Sequence, residues 1–206
     1  MKSTVHGVAA ALLLLASTAG AQTVTGVATG CFSSTPFGCT PVAGSASFGT
    51  LTYFSSSFSD VLNSFGIVNF GGNAVASPAN VNNFGSFQLG SGTFTFGNPN
   101  APTEYFTLAL AFTSPQNGSI LYSGSVTGQV LPTGGGGASI DFVDNSFQPV
   151  PGTSMSARVN DVDINPGLLI AGSGAVTATP EPASLVLLGT GLLGMLGIAR
   201  RKKHKP

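Results

Sequence analysis

The chain has 206 residues, balances 7 Lys+Arg against 7 Asp+Glu, and is only 7% charged, where a soluble globular domain usually carries roughly 25%. Hydrophobic residues make up 42%, including 15 Phe, so material for one sizeable core is present and a highly charged disordered chain, a coiled coil and a basic nucleic-acid binder are excluded. The balance hides a segregation. From Gln22 to Ala178 the single basic residue Arg158 stands against Asp60, Glu104, Asp141, Asp144, Asp161 and Asp163, a net charge of −5, with no Lys and no His.

At the N-terminus, Met1-Lys2-Ser3 supplies a short positive start and Val8 to Ala16 an apolar run of nine residues. That run fits the roughly 7–15 residues of a signal-peptide h-region. It is shorter than the about 20 residues a spanning helix needs. Ala19-Gly20-Ala21 is an A-x-A site, so residues 1–21 read as a secretory signal peptide, with Gln22 as the mature N-terminus. Sec machinery and signal peptidase are the partners this implies.

The next segment, 22–178, reads as an all-β ectodomain. Cys31 and Cys39 are the only cysteines. In an oxidising compartment they predict a disulfide, closing a small loop worth roughly 2–3 kcal/mol by the loop-entropy model. Strands are predicted at Ser47 to Phe54, Thr93 to Phe96, Tyr105 to Phe112, Ser119 to Val130, Ile140 to Val143, Ala157 to Ile164 and Leu168 to Thr177. The clearest is Tyr105 to Phe112, where Phe106, Leu108, Leu110 and Phe112 share one face. In Ser119 to Val130 that face holds Ile120, Tyr122, Val126 and Val130, with Gly124 and Gly128 as weak points. Phe58 to Phe65 is the one helical candidate. Many short strands between turn signals predict a β-sandwich, jelly-roll-like.

Candidate site residues in this segment are few. Asp161-Val162-Asp163-Ile164-Asn165 resembles the opening of a calcium loop, but the glutamate an EF-hand needs at loop position twelve is Gly172. The stronger reading is a strand end, with Val162 and Ile164 in the core and Asp161 and Asp163 in water, where Arg158 is available as a partner for one of them. Asp141 and Asp144 receive the same reading. Asn117-Gly118-Ser119 is a glycosylation sequon in a predicted turn, usable only where host machinery exists. Tyr53, Tyr105 and Tyr122 are candidate stacking surfaces for a sugar and equally candidates for the core. Without His, Lys or a free thiol, the usual nucleophile and acid–base sets are lacking. The expectation is a non-enzyme with no cofactor.

The C-terminus is the most informative segment. Thr179-Pro180-Glu181-Pro182 precedes 17 uncharged, mostly apolar residues, Ala183 to Ala199, then Arg200, Arg201, Lys202 and Lys203. The run is at the short end for a transmembrane helix, and the basic cluster holds its own end in the cytoplasm. The ectodomain is then periplasmic while anchored. Gly189 to Gly194 matches G-x-G-x-x-G, but inside an apolar span with no strand before it the match carries no nucleotide reading.

Pro180-Glu181-Pro182, an apolar helix and an Arg-rich tail, in that order at the C-terminus, resemble the PEP-CTERM sorting domain of Gram-negative bacteria. The resemblance covers about Thr179 to Lys205. It implies processing near the motif by an exosortase, a transpeptidase-like membrane protease, and a cell-surface or extracellular destination. It also implies co-occurrence with exopolysaccharide synthesis. The expected function is a non-catalytic surface or biofilm-matrix protein. The alternative is a polysaccharide- or calcium-binding module retained at the inner membrane.

Overall fold

A computed structural model describes residues 22–97 and 104–178, with Gly191 alone beyond them. The signal-peptide segment with Ala19 and Ala21 lies outside the described residues, as do Pro180, Glu181, Pro182 and the tail Arg200, Arg201, Lys202, Lys203. Among the described residues no helix is long and apolar enough to cross a membrane.

The segment Gln22–Ala178 is built from strands. In chain order they are β1 (Thr23–Ser33), β2 (Ser45–Phe48), β3 (Leu51–Phe54), β4 (Ser56–Val61), β5 (Ile67–Phe70), β6 (Ala79–Asn80), β7 (Ser86–Leu89) and β8 (Phe94–Phe96). They continue as β9 (Glu104–Ser114), β10 (Gly118–Val130), β11 (Gly136–Phe142), β12 (Gln148–Pro149), β13 (Met155–Val159), β14 (Val162–Ile164), β15 (Leu169–Ala171) and β16 (Gly174–Ala178). One eight-stranded sheet runs β14-β11-β10-β9-β1-β4-β6, with β8 paired to β10. Two four-stranded sheets run β12-β13-β16-β5 and β15-β7-β3-β2. The all-β expectation therefore holds. A jelly roll spreads about eight strands over two sheets, whereas here the strands divide eight, four and four.

Alternation along the long strands decides where the core lies. In β9 the side chains of Phe106, Leu108, Leu110 and Phe112 are all buried, as their spacing predicts. In β10 Tyr122, Val126 and Val130 are buried on the same side, and Ile120 packs against them. The two small sheets cover this face. Tyr53 of β3 and Phe87 of β7 pack on Phe106 at ring distances of 4.9 and 5.1 Å. Phe70 of β5 packs on Phe58 of β4 at 4.8 Å. Tyr122 donates a hydrogen bond of 2.6 Å to the carbonyl of Ala157 in β13. The aromatic rings thus fill the space between the layers, and tilted and edge-on contacts of this kind add to simple burial.

Four predicted elements are corrected. Ser47 to Phe54 is a hairpin of β2 and β3, because Gly49 turns the chain at φ 57°. Ala157 to Ile164 splits into β13 and β14, which belong to different sheets; the chain bends at Asn160, whose N–H donates to the carbonyl of Ser173 at 2.9 Å. Leu168 to Thr177 splits into β15 and β16 around Gly172, whose N–H donates to Gly85 at 2.8 Å. Phe58 to Phe65 is not helical: Phe58 lies in β4, where its ring is buried between Phe70, Phe84 and Phe112.

Candidate functional site

β6 is the open edge of the large sheet, only two residues long and paired in parallel with Ser56 and Ser57 of β4. Just past it, Asn82 adopts φ 53°, a conformation that asparagine tolerates better than most residues. There its Oδ1 accepts the N–H of Ser59 at 2.8 Å, capping the edge that β6 leaves bare. Its carbonyl accepts the N–H groups of Gly71 and Gly72, both at 3.1 Å. This closure requires glycine, since a Cβ on Gly72 would lie 2.1 Å from the carbonyl oxygen of Val81.

The result is a polar trough. One depression of about 460 Å³ is lined by Ser59, Asn73, Asn80, Val81 and Asn82. A second, of about 370 Å³, is lined by Asp60, Asn69, Phe70, Gly71, Gly72 and Asn82. Asn82 belongs to both. Beneath them the fully buried Asn83 fixes the loop: its Nδ2 donates to the carbonyl of Asn73 at 3.0 Å and its Oδ1 accepts from Gly85 at 3.0 Å. Ser56 adds a 2.5 Å bond from its hydroxyl to the carbonyl of Asn83. By contrast, the side-chain amides of Asn69, Asn73 and Asn80 have no hydrogen-bond partner among the described residues. They are exposed groups on a braced backbone.

The acidic residues do other work. Asp161 is exposed, but both of its oxygens are occupied: one accepts the N–H of Phe142 at 2.8 Å, the other the amide of Asn145 at 2.7 Å. It ties the bend between β13 and β14 to the end of β11. Asp163 and Asn165 are exposed, while Val162 and Ile164 are buried. Asp141 accepts from Ser139 at 3.1 Å. Asp144 accepts from Ser146 and Gln148. The Ser146 hydroxyl and N–H hold its carboxyl below the usual range. Among the described residues no three His, Cys, Asp or Glu side chains gather as a metal site. Arg158 does not pair with an aspartate; its guanidinium stacks over Phe147 at 5.2 Å.

Two of the three tyrosines proposed as sugar platforms are core residues. Tyr53 is 1% exposed and donates to the carbonyl of Phe84 at 3.4 Å, and Tyr122 is 5% exposed. Only Tyr105 is partly exposed. Asn117 is exposed in the turn between β9 and β10. Cys31, in β1, is joined to Cys39 with Cα atoms 6.2 Å apart.

The last described strand leads into the C-terminal segment. Residues 178–203 match the family model of the PEP-CTERM protein-sorting motif. The chain carries a PEP-CTERM protein-sorting motif. The motif marks an exported, membrane-passing protein sorted to the cell surface, and it implies processing by an exosortase. It spans about an eighth of the chain. No curated protein and no solved structure matches the chain.

In this PEP-CTERM chain the motif begins at the end of an interior strand. β16 is hydrogen-bonded on one side to β13 and on the other to β5. Ala178, where the matched motif starts, faces Met155 of β13, and its N–H donates to the carbonyl of Gly66 at 3.0 Å. Pro180 follows two residues later. The composition that carries the sorting signal is thus contiguous with a strand that the β domain needs. The trough, formed by residues 59–82, left no signal in sequence periodicity. Its only sequence trace is the run of asparagines from Asn69 to Asn83.

Proposed function

We propose that the chain is a non-catalytic cell-surface or extracellular-matrix protein. It is made as a precursor with an N-terminal signal peptide and a single C-terminal membrane span. Its β domain lies on the periplasmic side while anchored, and an exosortase cuts at Pro180-Glu181-Pro182 to release it to the surface or medium. The single observation that carries this reading is the PEP-CTERM motif over residues 178–203. The non-catalytic part rests on chemistry. The β domain has no His and no Lys, its one Arg stacks on a phenyl ring, and its cysteines are oxidised. That leaves no ordinary nucleophile–base pair.

The test is the mass of the protein recovered from cell surface and medium, with and without the host exosortase. We expect a chain running from Gln22 to near Pro180, present only when the exosortase is present. A chain still carrying Leu185 to Pro206 in both strains would sink the processing step and leave a permanently anchored precursor. A second reading, a polysaccharide-binding module, is favoured by the asparagine-lined trough beside β6. The calcium alternative has no such support, because Asp161 already spends both oxygens on Phe142 and Asn145.

A further inference from the structure

We infer that the trough beside β6 is a binding site for an uncharged polysaccharide, held by the carboxamides of Asn69, Asn73, Asn80 and Asn82. The inference deepens the second reading above and rests on it. Three observations carry it. The two depressions share Asn82 and both open to solvent rather than being enclosed, which leaves room for a ligand that extends beyond them. Their lining is mainly amide, hydroxyl and glycine backbone, with Val81 and Phe70 as the apolar members and Asp60 the one charged group.

The third observation is a contrast between neighbours. Asn83 is buried and bonded at both ends of its amide, so it braces the loop. Asn69, Asn73 and Asn80 keep both a donor and an acceptor unused among the described residues, and Asn82 keeps its Nδ2. A carboxamide offers a donor and an acceptor side by side, which is the pattern that neighbouring hydroxyls of a sugar present in reverse. Because Asn83, Ser56 and Ser86 hold the backbone in place, binding has to order these side chains but not the loop that carries them.

Charge selects the class of polysaccharide. The β domain carries a net −5, and Asp60 stands in the trough itself. A uronate- or sulfate-bearing chain meets repulsion, whereas a neutral one does not. No aromatic ring lies flat and exposed in the trough, since Phe70 is 2% exposed. Single-site binding is therefore weak, and retention on a surface comes from many copies engaging one long chain.

The experiment is affinity gel electrophoresis of the full-length chain in mild detergent, through gels containing dextran, galactomannan or xyloglucan, with alginate as the acidic comparison. Using the uncut chain keeps the result independent of exosortase processing, which the termini measurement tests separately. At least one neutral polysaccharide is expected to retard the protein, with alginate having less effect. N73A combined with N80A should weaken retardation about tenfold, the loss expected from two ordinary hydrogen bonds. N117A, an exposed amide outside the trough, should leave it unchanged.

Thermal melts show whether the double variant remains folded. If it does not, N73S and N80S made singly give the same reading with smaller changes. EDTA should have no effect. The inference is overturned if none of the three neutral polysaccharides retards the protein, or if alginate retards it most. It is equally overturned if EDTA abolishes retardation, or if the trough variants bind like the parent.

Discussion

Tyr53 and Tyr122 lie in the core, where a phenol is costly to ionise. Burial pushes the pKa of Tyr53 well above its ordinary 10.0. For Tyr122 burial acts first, and the negative charge of Asp144 adds to it. In the unfolded chain both phenols ionise near pH 10, while in the native chain they stay protonated. Their contribution to stability is therefore complete below about pH 10 and is lost as pH rises beyond it. Each such group removes about 1.4 kcal/mol per pH unit in that window. Melting temperature, followed by calorimetry, should hold steady up to about pH 9 and fall steeply above 10. Tyr53→Phe should make that fall shallower; an unchanged alkaline slope would mean the phenol is not buried in solution. Asp144 has the opposite sign. Its hydrogen bonds lower its pKa, so the stability it adds is present at neutral pH and lost as acid titrates it. As an exposed group its share is small.

Among the elements, β1 shows why a central strand can be invisible in sequence. It lies between β9 and β4 in the middle of the large sheet, yet its core-facing positions include Gly26, Ala28 and Gly30. No alternation of large apolar residues announces it. The missing volume comes from other strands. A Cβ on Gly26 would lie 2.5 Å from the ring of Phe58, and one on Gly30 would lie 2.4 Å from the ring of Phe106. Phe106 is fully buried among Tyr53, Phe87 and Phe32 and has no room to retreat. Gly30→Ala should then cost about 1–3 kcal/mol, the usual range for overpacking. Thr29→Ser, one residue away on the outer face, should stay within about 0.5 kcal/mol. Urea denaturation of the two variants checks this, and equal midpoints would show that Phe106 does move aside. β9 is the converse case. Its Phe106, Leu108, Leu110 and Phe112 alternate with small residues and were legible directly.

At the scale of the whole molecule, the β domain depends on its last five residues. β16 is an interior strand, and it buries Ala175, Val176 and Ala178 between β13 and β5. A chain ending at Ser173 leaves β13 and β5, both neighbours of β16, with unpaired backbone. We expect residues 22–179 to melt in one cooperative transition by circular dichroism, and residues 22–173 to show none. Cooperative melting of the shorter chain would show that β16 is an added edge rather than part of the core. For an exported protein the consequence is direct. Processing at Pro180 or beyond leaves the domain whole, whereas a cut before Gly174 removes a strand from the middle of a sheet.

The amino-acid sequence by itself determined the destination, because a sorting motif is read from residue order: two prolines around a glutamate, an apolar run and a basic tail. It also determined the all-β class and the core face of β9 and β10, because those depend on a period of two along a single strand. Only the tertiary structure decided which strands share a sheet, why Ala157 to Ile164 breaks between two layers, and that Tyr53 faces the core. It alone drew Ser59, Asn69, Asn73, Asn80 and Asn82 into one trough. Those features depend on contacts between residues far apart in the chain, where glycine in one strand makes room for phenylalanine from another. No local pattern records such a pairing.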